Sequence, residues 1–512
     1  MRAQRICWLL VGAVLVGASA LPVAAAPDLM AAVKAGDLAA ARQLIRARDA
    51  VNATEPDGTT ALMWAVRDGN QPMAALLIKA GAQVNAANRY GVTPLSMAVS
   101  QGNREALGLL LGSGADPKTA EATLPDGQTL LMLGARTGNV EILKRLIGRG
   151  ANVNAVERRT GTSAVMWAVM GNHADAVQAL VAAGADLNAR SRVTQYPHTP
   201  PAVIGDKLEE GVSYVGQTVL PKGGWTALMY AAREGAVNAA RVLAAAGADL
   251  NATEPEGTSA LLFAIINGHY DVAEVLIDAG ADLDLADRTG MTPLYAAVDM
   301  HTLGSTFGRP GPQLTVIDGS VPAIELLLQR GANPDAVLRT KILKRVYNAG
   351  DARLGEGSTP FMRAARGGDV AVMRLLLQYG ANPALTQKNG TTPIMLAASL
   401  ATKGNYPDRG NEESAIQAIT LCLERHVDIN AVNAAGDTAV HAAIGSPAIV
   451  RFLAGKGARL DVKNARGQTP LDAARANRNA ARTVDLLREL TGAPADAGSA
   501  TLPLPANGNP PE

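Results

Sequence analysis

The chain has 512 residues, of which 48% are hydrophobic and 3% aromatic, and its 47 Lys and Arg residues balance 46 Asp and Glu residues. A chain with this charge balance has no overall basic field to attract a phosphate backbone, so we expect no nucleic-acid partner. A single closed core of this length would be unusual, whereas an array of small repeated units grows by adding units.

The N-terminal segment has the composition of a secretory signal peptide. Arg2 and Arg5 give a positive start, Ile6 to Val16 form a short apolar core, and small residues predominate from Ser19 to Ala26. We therefore predict a signal peptide over residues 1–25. The alternative is an uncleaved membrane anchor, because the apolar stretch with its alanine-rich tail approaches the length that spans a bilayer.

The rest of the chain is dominated by one repeated phrase that opens with glycine. The commonest spacing between copies, as from Gly58 to Gly91, is 33 residues. The phrase reads GTTALMWAVRDGN from Gly58, GVTPLSMAVSQGN from Gly91, GTSALLFAIINGH from Gly257 and GTTPIMLAAS from Gly390. A recurring unit of this length predicts a stacked array of units that bury their apolar faces against one another.

Each unit contains the signals of two short helices. Thr at the start of the phrase, as in Thr93, can cap the first helix through its hydroxyl, and the Pro after it lacks an N–H where none is needed. Alanine recurs at one helical position, as in Ala65 and Ala98, and lets neighbouring helices approach closely. The second helix carries the larger apolar residues and ends at a Gly, such as Gly81, suited to a left-handed C-cap.

These residues resemble the ankyrin repeat, whose signature is a turn, T-P-L-H-x-A-A, a second helix and a G-A-D-V-N close. TPL is intact from Thr93 and from Thr292, and the close reads GADLN from Gly184 and from Gly247. The resemblance implies an all-α ankyrin-repeat solenoid of about twelve helix-turn-helix units. The turn that follows each second helix projects as a finger, and we call it the finger turn. We assign residues 26–490 to this array and predict that the Pro-, Ala- and Gly-rich residues 491–512 form a disordered tail.

One departure from the family concerns the His of T-P-L-H. Only His441 keeps it, and Met replaces it at positions such as Met63 and Met229. In the family this His joins a hydrogen-bond network that braces the turn. We therefore expect these repeats to depend more on apolar packing, for which flexible Met is suited, and to be somewhat less rigid.

Four insertions interrupt the period. Those near 190–222 and 335–356 follow a second helix and lengthen a finger turn, whereas those near 301–320 and 401–413 separate the two helices of a unit. Long loops on a rigid scaffold tend to carry function. The first insertion is interpreted either as a partner-binding arm or as a passive loop that covers adjacent repeats.

The insertion near 335–356 is basic. It carries Arg339, Lys341, Lys344 and Arg345, and Leu338, Ile342 and Val346 recur every four residues. This spacing predicts a short basic amphipathic helix that meets an anionic protein surface or lipid headgroups. Alternatively, the helix docks its apolar face on the array while its charges stay in water.

Candidate contact residues follow from the family resemblance, because ankyrin proteins usually meet partners at finger tips and at the exposed end of the first helix. Tyr, Trp and Arg most often anchor interfaces. The candidates at these places are Arg67, Asp68, Arg89, Tyr90, Arg159, Tyr196, Lys222, Trp225, Arg233, Glu234 and Arg288. A row of aromatic residues in the first helices, Trp64, Trp167, Tyr230 and Phe263, is interpreted as packing between repeats.

The sequence contains no catalytic or metal-binding motif that we recognise. The six His residues are scattered, and carboxylates such as Asp186 and Asp249 fall in repeating turns. We expect no enzyme activity, no cofactor and no metal. Cys422 remains the only cysteine after signal cleavage and is predicted to be a buried apolar residue rather than a reactive thiol.

Together these features predict a monomeric, non-catalytic scaffold that binds partner proteins through its concave face, finger turns and insertions. Alanine- and glycine-rich export sequences joined to ankyrin arrays resemble proteins of Gram-negative bacteria, so we expect a periplasmic or secreted protein. We expect membrane contact only through an uncleaved signal or the basic insertion. The alternatives are a secreted effector that acts on a host or competitor protein, and a ligand binder or enzyme with a pocket built from the insertions.

Overall fold

The computed structural model describes residues 28–45, 51–122, 124–194, 203–204, 207–208, 223–302, 314–340, 353–401 and 411–493. The chain divides into two compact units, Met1–Pro125 and Asp126–Glu512. The predicted signal peptide, nearly all of the predicted tail and the central parts of the four insertions lie outside the described residues.

Short helices in pairs build both units; we call the earlier member of each pair the first helix and the later member the second helix. The helices of the first unit are Leu29–Lys34, Leu38–Leu44, Ala61–Arg67, Gln71–Lys79, Pro94–Ser100, Arg104–Gly112 and Pro117–Ala122. Those of the second unit are Leu130–Thr137, Val140–Ile147, Ala164–Met170, Ala174–Ala182, Ala227–Glu234, Val237–Ala245, Ala260–Ile266, Tyr270–Asp278, Pro293–Thr302, Leu314–Gln329, Pro360–Gly367, Val370–Gln378, Pro393–Ala398, Glu412–Glu424, Ala439–Ala442, Pro447–Gly455, Pro470–Arg475 and Ala481–Thr491. Short 3₁₀ turns lie at Pro125–Gly127 and Ser399–Ala401.

Neighbouring pairs stack with first helix on first helix and second helix on second helix. In the second unit, Ala164–Met170 packs on Leu130–Thr137, and Ala174–Ala182 packs on Val237–Ala245. The recurring alanine of the first helix, such as Ala168, is fully buried at this contact. The fold is therefore the predicted all-α repeat array. Its described strands are a two-residue antiparallel pair, Val203–Ile204 with Lys207–Leu208, in the first long insertion.

The predicted caps are confirmed. The hydroxyl oxygen of Thr93 accepts a hydrogen bond from the Ser96 N–H at 3.1 Å, and Pro94 occupies the first turn. At Met63 and Met395, which replace the signature His, the sulfur takes part in the cap, since the Thr60 N–H and the Thr392 N–H each point at the Met Sδ at 3.5 Å. His441, which keeps the signature His, makes a contact that Met cannot make: its Nε2 also lies 3.1 Å from the Gln468 carbonyl of the next repeat.

The finger turns stack through backbone hydrogen bonds, and this explains the glycine that opens each phrase. The Arg192 N–H donates to the Thr160 carbonyl at 2.6 Å, and the Arg339 N–H donates to the Thr289 carbonyl at 2.7 Å. Gly290 has φ +84°, and a Cβ there would lie 2.6 Å from the Arg339 nitrogen. Only glycine therefore fits both the turn and its close approach to the next finger.

A ladder of side-chain hydrogen bonds joins the repeats at the turns that close them. Asn154 Oδ1 accepts from the Asp186 N–H at 2.7 Å, and Asn188 Oδ1 accepts from the Asp249 N–H at 2.9 Å. The ladder continues past an insertion, since Asp284 Oδ1 accepts from the Asn333 N–H at 2.9 Å. The interpretation of the recurring carboxylates as turn residues is confirmed, and the insertions leave the stacking of their neighbours intact.

The basic amphipathic helix predicted from Leu338 is wrong at its start. Leu338 is buried and belongs to a finger turn: its N–H donates to the Ser358 carbonyl at 3.0 Å, and its own carbonyl accepts from the Gly357 N–H at 2.8 Å. These paired backbone bonds hold residues 338–340 in a non-helical conformation. Lys341, Lys344 and Arg345 lie outside the described residues.

Candidate functional site

An aromatic and cationic cluster lies where a finger turn meets a first helix in the second unit. The Trp225 ring packs edge-to-face on Tyr230 and on Phe263, with ring centroids 5.3 Å apart in both pairs. The Arg233 guanidinium lies 5.0 Å from the Trp225 ring centroid and also pairs with Glu234 at 3.4 Å. The sequence pointed to Trp225, Arg233 and Glu234 separately, and the structure brings them together.

Backbone contacts fix the position of Trp225. Its N–H donates to the Ser191 Oγ at 3.0 Å, and its carbonyl accepts from the Ser191 N–H at 2.9 Å. Ser191 is buried at the base of the same finger, so the tryptophan is held on both sides of its own backbone. The side chain remains partly exposed and is oriented before any partner arrives.

A second tryptophan of the second unit, Trp167, has an arginine of the preceding repeat over its ring. The Arg136 guanidinium lies 5.6 Å from the Trp167 ring centroid, and the Trp167 Nε1–H donates to the Thr162 Oγ1 at 3.1 Å. Histidines of the following repeats hold the helix ends that carry these arginines. His173 Nε2 lies 3.1 Å from the Arg136 carbonyl, and His269 Nε2 lies 3.0 Å from the Arg233 carbonyl.

Trp64 forms the corresponding cluster in the first unit. The Arg67 guanidinium lies 3.5 Å and the Lys34 ammonium 4.4 Å from its ring centroid, while its Nε1–H donates to Glu55 at 2.9 Å. Hydrogen bonds from Lys34 and Trp64 lower the pKa of Glu55. Arg67 also pairs with Asp68 at 2.9 Å.

The aromatic row is therefore only partly a core. Tyr230 is buried as predicted, at 8% exposure, whereas Trp64, Trp167 and Phe263 are half-buried. The two tryptophans carry cationic side chains over the ring, so the interpretation as packing between repeats is incomplete for them.

The finger tips carry most of the remaining predicted residues. In the first unit, the Arg89 guanidinium donates to the Tyr90 hydroxyl at 2.8 Å, and Tyr90 is 63% exposed. In the second unit, Arg159 lies 3.8 Å from Asp126, and Arg288 pairs with Glu256 at 2.7 Å. Arg339 is exposed. Tyr196 and Lys222 lie outside the described residues.

Sequence reasoning missed Arg136 and Arg192. Arg192 is exposed at the tip of the Trp225 finger, and its N–H makes the same bond to the preceding finger that Arg288 makes, at 2.9 Å, to the Glu256 carbonyl. Aligning the finger tips on their backbone position would have found it. We call the surface formed by Arg136, Arg159, Arg192, Trp225 and Arg233 the finger face.

One first helix farther along the second unit is closed to solvent. Helix Pro360–Gly367 is buried at every residue, including Arg363 and Arg366. Arg363 Nε donates to Asp299 Oδ1 at 2.5 Å, and both side chains are almost completely buried. Arg363 stands at the helix position that Trp167 and Phe263 hold in other repeats. The same position is thus exposed and aromatic in one region and buried and ionic in another.

A serine, a histidine and an aspartate also meet in this region. His301 Nδ1 lies 2.7 Å from the Ser320 Oγ, and His301 Nε2 lies 3.1 Å from the Asp369 Oδ2. A reacting serine needs an exposed hydroxyl that a substrate can reach, but Ser320 is fully buried within helix Leu314–Gln329. The arrangement links three helices and does not present a nucleophile.

Within the described residues, no group of three or more His, Cys, Asp or Glu side chains is placed to share a metal ion. No helix of the described part of the chain has both the length and the apolar character needed to cross a bilayer. Burial raises the pKa of the Cys422 thiol to about 12, and the predicted burial of this cysteine is confirmed.

Comparison with known proteins agrees with the architecture. A family model described as "Ankyrin repeats (3 copies)" matches residues 29–121, 109–191, 228–306 and 313–407. Neurogenic locus notch homolog protein 1 of Homo sapiens and of Mus musculus is 31% identical over 139 residues, which is 26% of this chain and only 5% of the notch protein. The human ASB11 ankyrin repeat domain, whose crystal structure is known, is 23% identical, with a TM-score of 0.39 over 50% of this chain and 98% of that domain. The chain belongs to the ankyrin-repeat family.

Proposed function

We propose that the protein is a non-catalytic scaffold that binds a partner protein through the finger face of its second unit. Ankyrin repeats generally mediate protein–protein interactions, and their scaffolds are generally non-enzymatic. The observation that carries the proposal is the cluster around Trp225, in which a partly exposed tryptophan is held rigidly and flanked by an arginine.

The energetics of interfaces favour this cluster. Tryptophan and arginine anchor protein interfaces more often than other residues because they bury large surfaces and make directional polar contacts. Two edge-to-face rings and two backbone hydrogen bonds already order Trp225, so a partner loses little side-chain entropy by covering it. A standard interface of about 800 Å² per partner would occupy only a few repeats.

Mutation of Trp225 tests the proposal. The full chain, attached to a support, is incubated with extract from its own cells, and bound proteins are compared with those bound by Trp225→Ala. The matched control is Phe452→Ala, which removes a half-buried aromatic residue of a second helix that has Lys456 5.6 Å from its ring. We expect a specific partner to be lost with Trp225→Ala and kept with Phe452→Ala; equal capture by both variants would refute the finger face as the binding surface.

We also propose that the chain is exported and acts in the periplasm or outside the cell. The support for this proposal is the N-terminal sequence, in which Arg2 and Arg5 precede an apolar core and small residues. Cell fractionation with mass spectrometry of the mature N-terminus tests it. A full-length N-terminus in the cytoplasm would refute export, and accumulation in the medium would favour an effector that acts on another cell.

The long insertion beside Trp225 offers a further test of where the partner binds. The two arms of the finger on either side of the insertion are paired, because the Gly224 N–H donates to the Ser191 carbonyl at 3.0 Å. Removal of residues 195–222 therefore leaves the described finger base in place. Loss of partner capture would assign the insertion to the binding surface, and unchanged capture would assign it a passive role.

A further inference from the structure

From the charges and spacing of the finger face, we infer that its partner presents an extended polypeptide segment with glutamate or aspartate at about every third residue and an apolar side chain that covers Trp225. This inference rests on the proposed function and specifies the chemistry of the partner. Three features of the second unit carry it: exposed guanidinium groups, their placement on successive fingers, and the position of the acidic residues among them.

Guanidinium groups dominate the exposed polar surface of the finger face. Arg159 is 77% exposed and Arg233 is 46% exposed at the side chain, and Arg136 and Arg192 are exposed as well. Among the described residues, no carboxylate lies within ion-pairing distance of Arg136 or Arg192. The planar guanidinium fork matches a carboxylate with two parallel hydrogen bonds, so these side chains are suited to acidic groups of a partner.

The carboxylates of the fingers themselves are mostly turned inward. Glu157 is 2% exposed, and its Oε1 accepts from the Thr160 N–H at 2.5 Å. Glu254 is 6% exposed and accepts from the N–H groups of Glu256 and Thr258, both at 3.0 Å. These groups hold the turns together and leave the arginines as the outward-facing charges.

The spacing of the arginines defines the length scale of the partner. Arg159 and Arg192 stand on adjacent fingers, because the Arg192 N–H bonds the Thr160 carbonyl. Stacked helices lie about 8–10 Å apart, and we expect their fingers to follow the same spacing. In an extended polyproline II chain, which advances about 3.1 Å per residue with three residues per turn, acidic side chains three residues apart lie on one face about 9 Å apart and so reach successive fingers.

The acidic residues that do face outward favour a polypeptide over a phosphate chain. Asp126 and Glu234, both exposed at the side chain, lie beside Arg159 and Arg233, respectively. A nucleic acid strand carries a negative charge about every 3.4 Å and would place phosphates against these carboxylates. A polypeptide can place neutral residues there and acidic residues only at the arginines. An apolar side chain between them would cover Trp225, which a phosphate chain would not do.

Fluorescence anisotropy with synthetic peptides tests the inference. The probe is a labelled peptide of about 15 residues with Glu at every third position and a central Leu, and its counterpart carries Gln at each Glu position. We expect saturable binding of the Glu peptide to the full chain, binding that weakens as salt is added, and no saturable binding of the Gln peptide.

Matched charge variants locate the binding surface. Arg159→Glu/Arg192→Glu should weaken binding of the Glu peptide by at least about tenfold, and Arg159→Gln/Arg192→Gln should weaken it less. The control is Arg241→Glu/Arg374→Glu, which changes the net charge equally at exposed positions of second helices. All these side chains are exposed, and circular dichroism verifies that each variant is folded.

Three results would overturn the inference: equal binding of the Glu and Gln peptides, equal loss in the finger-face and control variants, or tighter binding of heparin than of the Glu peptide. Equal binding of the two peptides would show that charge is not recognised, and equal loss in both variants would show that the finger face is not the site. Tighter binding of heparin would show that the surface binds polyanions in general. The proposed function fails separately, because it depends on partner capture by the full chain and its loss in Trp225→Ala. Capture without binding of the Glu peptide would refute only the chemistry inferred here.

Discussion

Removing one partner of the buried ion pair Asp299–Arg363 should destabilise the second unit strongly. Arg363 is fully buried and the Asp299 side chain is 3% exposed, so Asp299→Ala leaves a guanidinium in the protein interior without its carboxylate. Loss of one partner of a buried pair costs about 3–5 kcal/mol. We expect a loss in this range in the free energy of unfolding of the helices around the pair.

Replacing both partners should be much less harmful than replacing one. In Asp299→Ala/Arg363→Met neither charge of the pair remains, and Met97 shows that methionine fits the equivalent helix position of another repeat. Replacement of buried ion pairs by apolar residues is often neutral or stabilising. We therefore expect the double variant to regain most of the stability that the single variant loses.

Hydrogen exchange is the suitable assay, since unfolding of a repeat array need not be a single two-state step. The amides of helix Pro360–Gly367 report local opening, and urea unfolding followed by circular dichroism reports the whole chain. The control is Asp278→Ala, which breaks a half-exposed pair with Arg330 and should cost about 1 kcal/mol or less. If Asp299→Ala lowered the free energy of unfolding no more than Asp278→Ala, the buried-charge argument would be refuted. A double variant as unstable as the single one would refute it equally.

Three further predictions concern the turns and the cysteine. Gly290→Ala should lower the melting temperature more than Gly280→Ala: both have positive φ, which costs about 1–2 kcal/mol for a non-glycine residue, but only the Gly290 Cβ would meet the Arg339 backbone. Equal shifts would contradict the finger-stacking argument. His441→Ala leaves the capping N–H and the next repeat's carbonyl without their partner, so urea unfolding should show a loss of about 1–3 kcal/mol. Cys422 should resist iodoacetamide at pH 8 in the folded chain and react in urea, as judged by mass; rapid reaction of the folded chain would contradict its raised pKa.

The sequence predicted those features whose causes lie within one repeat. The threonine cap and the left-handed glycine depend on residues a few positions apart, so the repeated phrase was sufficient to find them. The contacts of His301 with Ser320 and Asp369 could not be found in this way. These residues come from three helices, and an insertion shifts their spacing away from the period.

The wrong start of the predicted basic helix has a similar origin. The spacing of Leu338, Ile342 and Val346 fits one helix face, but Leu338 is bound to Ser358 across the finger. This pairing across the finger, together with the bond from the Arg339 N–H to the Thr289 carbonyl of the neighbouring finger, overrides the local periodicity at the start of the insertion. Patterns inside insertions are therefore weaker evidence than patterns inside repeats, because the repeats supply contacts that the local pattern does not contain.

One helix position illustrates how the array separates binding from stability. In the repeats of Trp167 and Phe263 this position is aromatic and partly exposed; Arg136 of the preceding first helix lies against Trp167, and Trp225 lies against Phe263. In the repeat of Arg363 it is charged and buried, and its partner Asp299 comes from the preceding first helix. A partner can displace water from the first kind of surface without breaking internal contacts. Binding at the second kind would require opening a buried ion pair, and this cost favours the finger face as the proposed binding surface.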